Sequence, residues 1–169
     1  SYLPENQGFD VNIGGCDFGQ PKGGSYFDPY KIPHLQDREE GEYLTDRERE
    51  EALKFIRKAE QSGQPFFLYL AHYAVHVPIQ AKNDLVNHYQ KKEIPEGKSF
   101  HPEYAAMVHS VDESVGKINQ LLKDLQIEEN TMIIFTSDNG GLKLPWGKEG
   151  SDIWTDNSPL RAGKGYPYE

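Results

Sequence analysis

The chain has 169 residues, 36% of them hydrophobic and 12% aromatic, with 10 Tyr and 8 Phe, which suits one folded domain or part of one and is too apolar for a disordered tail. Its formal net charge of -9, from 18 basic and 27 acidic residues, and the lack of a Lys/Arg block argue against nucleic acid as a partner. No apolar run approaches the ~20 residues that cross a bilayer, no charged and apolar leader opens the chain, and the single cysteine, Cys16, permits no disulfide within it.

Residues 1–44 are dense in Gly, Pro, Asn, Asp and Tyr, with Gly14-Gly15, Pro21, Gly23-Gly24, Pro29 and Pro33 as punctuation, and this predicts ordered loop. Thr45-Asp46-Arg47-Glu48 has the form of a capping box, in which the hydroxyl and the carboxylate three residues on serve the free amides of a first helical turn. The helix predicted from there buries Ala52, Phe55, Ile56 and Ala59 and ends at Gly63. Residues 65–71, Pro-Phe-Phe-Leu-Tyr-Leu-Ala, form a short apolar run, the pattern of a strand buried on both faces, and residues 131–136, Thr-Met-Ile-Ile-Phe-Thr, form a second. Between them Tyr104, Met107, Val108, Val111, Val115, Ile118, Leu121, Leu122 and Leu125 keep one helical face apolar for roughly six turns. Strand, helix, strand predicts a parallel pair with a right-handed crossover. The fold class is therefore α/β, part of a mostly parallel sheet flanked by helices, with long Gly/Pro-rich loops. Beyond Gly140 periodicity is lost and loop returns. Neither end carries an evident terminal element, so the chain reads as cut from something longer.

Ligands of open parallel sheets gather beyond the carboxyl ends of the strands. The second predicted strand runs into Ser137-Asp138-Asn139-Gly140-Gly141, which sets a carboxylate and an amide oxygen side by side. Such hard donors suit calcium or magnesium better than zinc, while the same Asp-Asn-Gly is also a turn signal. The first runs into His72-Tyr73-Ala74-Val75-His76-Val77-Pro78, where a histidine held near a proline can exchange protons near neutral pH. The spacing of His72 and His76 also fits a zinc pair on a helix, but Pro78 and the preceding strand pattern argue against a helix here. Pro159-Leu160-Arg161-Ala162-Gly163-Lys164-Gly165 offers a compact positive charge between glycines that admit an anion, without the spacing of a Walker loop.

In this order, those stretches resemble the sulfatase family of the alkaline-phosphatase-like superfamily, closest to its arylsulfatase-like branch. The resemblance takes in Gly8-Phe9-Asp10, Gly14-Gly15-Cys16, Tyr43-Leu44-Thr45-Asp46, residues 65–71 leading to His76-Val77-Pro78, Tyr104-Ala105-Ala106-Met107 with Asp112 and Val115-Gly116, Thr136 to Gly141, and Leu160 to Gly165. It implies that residues 1–169 are part of a sulfatase catalytic domain: a loop-rich segment 1–44, a helix-strand-helix-strand segment 45–137, and active-site loops 138–169. It further implies that Asp138 and Asn139 are metal ligands for Ca²⁺, with Mg²⁺ second, and that His76 and Lys164 are catalytic and substrate-binding. His76 would contact the bridging or leaving-group oxygen and Lys164 the sulfate. Arg161, Ser137 and Asp112 are left as structural.

The family's nucleophile is a formylglycine made from a C/S-x-P/A-x-R motif. Cys16 lies in Gly15-Cys16-Asp17-Phe18-Gly19, without the downstream Pro and Arg, so the formylglycine is expected upstream of this chain and the stretch alone is expected to be inactive. The resemblance implies a sulfated carbohydrate or an aryl sulfate as substrate and a periplasmic or secreted location; Trp146 and Trp154 can stack on sugar faces and are as often core or loop anchors. Two alternatives stand: a phosphatase or phosphodiesterase of the same superfamily, whose Asp-His pair is replaced here by Asp138-Asn139, and a non-catalytic sulfatase-like binding protein.

Overall fold

The structure is a computed structural model and describes residues 2–94, 101–142 and 155–166; Trp146 and Trp154 lie outside them. The chain divides into two compact units, one of residues 1–92 with 102–131, the other of residues 93–101 with 132–169.

The first unit is organised by three helices, α1 (Leu44–Ser62), α2 (Asn83–Gln90) and α3 (Pro102–Asp124). The predicted loop segment before α1 is loop, tied down by one antiparallel bridge between Phe27 and Tyr43 and by the buried rings of Tyr26, Tyr30 and Tyr43. Helix α1 ends where predicted, with Gly63 in the left-handed conformation at φ 65°, which a residue with a Cβ adopts only under strain. Its start departs from the sequence pattern. Thr45 Oγ1 is buried and makes no hydrogen bond, and the Glu48 carboxylate reaches His72 instead of the first turn. The cause is helical register: Leu44, Glu48, Ala52 and Ile56 recur at i,i+4, so Glu48 shares the face whose other members are buried.

Helix α3 packs against both α1 and α2. One apolar cluster gathers Tyr26, Tyr30, Leu44, Ala106 and Met107, and a second joins Leu53 and Ile56 of α1 to Leu121 and Leu122 of α3. The buried stripe of α3 also contains Ser110 and Ser114, both fully buried, whereas Val108, assigned to the apolar face by pattern, is exposed. Lys82 ties α1 to α3, its Nζ lying 3.1 Å from Asp46 and 2.9 Å from Glu113. Helix α2 was not predicted; its 8 residues bury none of their own side chains.

Residues 65–71 have no assigned helix or strand, and their burial alternates: Phe66, Leu68 and Leu70 are half-buried, while Phe67, Tyr69 and Ala71 are exposed. Period-two alternation is strand geometry with one face covered, here by the second cluster, which takes in Phe66 and Leu68. The pattern had predicted burial on both faces. In the second unit residues 132–136 are also without regular structure and exposed. Among the described residues neither segment pairs in a ladder, and the parallel sheet stays an expectation of the sequence pattern. A strand exists through the backbone bonds of its neighbours, and no further strand is present among the described residues to supply them.

Candidate functional site

The turn that carries His76 is fixed from inside. His76 N donates to Tyr73 O at 2.9 Å, closing a tight turn with no helix in it. The hydroxyl of Tyr26, a fully buried residue, lies 2.7 Å from Tyr73 O and 2.8 Å from His76 O. Its single proton is thus aimed between the two ends of the turn. Burial and the neighbouring Tyr43 and Glu48 hold that phenol protonated, far above the usual tyrosine range. His76 itself is half-buried, with Nδ1 3.2 Å from Val77 O.

His72 does not join His76 in a zinc pair. Its Nδ1 lies 2.6 Å from Glu48 Oε2 and its Nε2 2.9 Å from Ser114 Oγ, so both ring nitrogens are taken. Nδ1 is thus paired with the carboxylate and Nε2 with the serine hydroxyl. Carboxylate, imidazole and hydroxyl in a row also describe a hydrolytic triad, but Ser114 is wholly buried in the middle of α3, where no substrate carbonyl can reach. The row acts as a cross-brace from α1 through the histidine segment to α3. Sequence reading gave Glu48 to the helix cap and did not single out Ser114; the available signal was an acid and a serine recurring on otherwise apolar helical faces. Cys16 is half-buried with Sγ 3.3 Å from Tyr73 Oη.

In the second unit, Asp138 and Asn139 are exposed side by side, with Asn139 Nδ2 donating to Asp138 Oδ2 at 2.6 Å. That bond uses Asn139 Nδ2 and Asp138 Oδ2, and so leaves Asn139 Oδ1 and Asp138 Oδ1 out of it. Gly140 follows at φ 72°, and its N–H donates to Ser137 Oγ at 3.2 Å. Two hard oxygens fit a calcium-like cation by donor type, yet such an ion takes 6–8 oxygens. No group of three or more His, Cys, Asp or Glu side chains able to hold a metal occurs among the described residues, so the pair fits as part of a site.

Lys164 is half-buried and is brought to the same loop cluster by its backbone, its N–H donating to Gly141 O at 3.0 Å. The side chain of Asn157, which sequence reading did not single out, makes two bonds to that glycine: Gly141 N donates to Asn157 Oδ1 at 3.0 Å, and Asn157 Nδ2 donates to Gly141 O at 3.0 Å. The structure thus brings Asp138, Asn139 and Lys164 into one unit, while His76 belongs to the other.

The sulfatase family model matches residues 3–168, and the chain belongs to the sulfatase family. It is 36% identical over 135 residues to a sulfatase of Formosa agariphila, 75% of this chain and 23% of that protein. It is 36% identical over 146 residues to the N-acetylgalactosamine-6-sulfatase of Canis lupus familiaris, 86% of this chain and 25% of that one. Among solved structures it is similar to the crystal structure of Ps i-CgsB in complex with k-i-k-neocarrahexaose, with 40% sequence identity and a TM-score of 0.59 over 77% of this chain and 26% of that one. The chain therefore spans 23% to 25% of the length of these curated relatives.

Proposed function

We propose that the intact protein is a sulfuric ester hydrolase acting on sulfated carbohydrate, and that this chain supplies part of its site. The observation that carries the reading is the loop cluster in which the Asp138–Asn139 oxygen pair and Lys164 are joined through Gly141, in a chain of the sulfatase family. The carbohydrate class draws support from two relatives, the N-acetylgalactosamine-6-sulfatase and the structure holding k-i-k-neocarrahexaose; an aryl sulfate is the other candidate.

In this reading residues 65–71 and 131–136 are strands of the parallel sheet of an alkaline-phosphatase-like fold. Asp138 and Asn139 hold Ca²⁺, which when bound supplies positive charge against the sulfuryl oxygens. The Lys164 ammonium binds a sulfate oxygen and opposes charge that grows as the ester bond breaks. His76 delivers a proton to the departing alcohol oxygen, from a turn whose carbonyls Tyr26 immobilises. The formylglycine nucleophile lies in the part of the protein outside these 169 residues, and the protein works in the periplasm or outside the cell.

The test is the intact protein with Ca²⁺ on matched aryl sulfate and aryl phosphate esters, followed by a sulfated oligosaccharide. Sulfate turnover is expected; preference for phosphate would make it a phosphatase, and turnover of neither ester a binding relative. Asp138→Ala should lower Ca²⁺ affinity and turnover together. Lys164→Ala should lower turnover and leave Ca²⁺ affinity intact.

A further inference from the structure

Gly141 lies two residues past Asn139, in a stretch with no helix or strand to hold it. Its backbone groups are nevertheless all partnered. The N–H donates to Asn157 Oδ1 at 3.0 Å, and the carbonyl accepts from Asn157 Nδ2 at 3.0 Å and from Lys164 N at 3.0 Å, which uses both oxygen lone pairs. The Asn157 amide therefore treats Gly141 as a neighbouring strand would, with donor to acceptor and acceptor to donor, from 16 residues away along the chain.

Asn157 is itself anchored, since its carbonyl accepts from Leu160 N at 2.9 Å. A second observation is independent of those bonds. A Cβ on Gly163 would run into Gly141 O and Asn157 Nδ2, and a Cβ on Gly141 would come within 2.7 Å of Thr155. The stretches are so close that only glycine fits at either contact. Thr155 Oγ1 adds a bond to Leu142 O at 2.7 Å.

We propose that Asn157 is a positioning residue that sets the register between the Asp138–Asn139 pair and Lys164, with the Gly141 peptide as the fixed point between them. This rests on the roles given above to those three residues. The amide contacts neither ester nor cation directly. It acts by removing the freedom of two exposed loops to drift relative to each other, which is how residues behind the ligands govern affinity at metal sites.

The experiment uses the intact protein. Asn157→Ala removes both bonds, Asn157→Asp keeps the acceptor for Gly141 N but loses the donor to Gly141 O, and Gly163→Ala keeps Asn157 while wedging the stretches apart. Three quantities are read on each: Ca²⁺ affinity by calorimetry, kcat and KM on a sulfate ester, and exchange of the Gly141 and Lys164 amide hydrogens in metal-free protein. Asn157→Ala and Gly163→Ala should each lower Ca²⁺ affinity and kcat by about 10-fold to 100-fold and speed exchange at both amides, with Asn157→Asp between them and wild type.

A merely structural asparagine would lower Tm and the active fraction without changing the Ca²⁺ affinity of the molecules that remain folded. If Asp138→Ala and Lys164→Ala behave as expected but Asn157→Ala matches wild type in affinity, kcat and exchange, this inference is overturned and the site reading stands. If Asp138→Ala keeps its Ca²⁺ affinity and Lys164→Ala its turnover, the site reading fails, and Asn157 loses its assigned role with it.

Discussion

A carboxylate that leaves water for the space between two helices loses hydration. Glu48, with 12% of its side chain exposed, is pushed above the ordinary glutamate value of 4.5 by burial, while the hydrogen bond and charge of His72 and the Tyr73 amide pull it part of the way back. The folded protein therefore binds the Glu48 proton more tightly than the unfolded chain does. The stabilisation from this proton is complete below 4.5 and is lost as pH rises through the raised value. Glu48→Gln keeps the shape and cannot ionise. Tm of the intact protein, followed from pH 4.5 upward, should fall less steeply in the variant, by about 1.4 kcal/mol of stability for each unit by which the folded value is raised. Superimposable profiles would show that Glu48 takes up no proton on folding.

The contact of α1 with α3 is where side-chain packing carries the first unit. Ile56 is 1% exposed and meets Leu121 and Leu122 across it. Ile56→Val should cost about 0.5–1.5 kcal/mol and Ile56→Ala about 2–5 kcal/mol in unfolding free energy; equal effects of the two would place Ile56 outside the core. Both long helices are legible in the sequence because their apolar residues recur for several turns and Gly63 marks an end. Helix α2 is not, because two turns are too short for a period to stand out and none of its residues is buried. Glu48 shows a local signal losing to a tertiary one: its spacing from Thr45 suits a cap, while its place on the Leu44–Ile56 face sends it to His72. Of the proposed site, Asp138, Asn139, His76 and Lys164 are singled out in the sequence by their order, and the structure gathers Asp138, Asn139 and Lys164 in one loop cluster. Asn157, between Asp156 and Ser158, reads as any turn residue, because its role arises only from a contact distant in sequence.

The two exposed apolar stretches bear on the whole protein. Met132, Ile133, Ile134 and Phe135 are 86%, 50%, 79% and 74% exposed, and Phe67 and Tyr69 are 74% and 71% exposed. Apolar side chains left in water on backbone without a ladder invite pairing with any free strand. These are also the two segments whose composition predicts strands, and residues 65–71 already show strand alternation against the helices. On the reading proposed above, in which the chain is about a quarter of the intact protein as it is of its relatives, the rest of that protein covers the second face of 65–71 and both faces of 132–136. In the intact protein, amides of residues 66–71 and 132–136 should then be among the slowest to exchange with solvent, approaching the global unfolding free energy. Fast exchange there, alongside slow exchange in α1 and α3, would mean that the helices fold around one another without a central sheet, and the proposed strands would be surface segments.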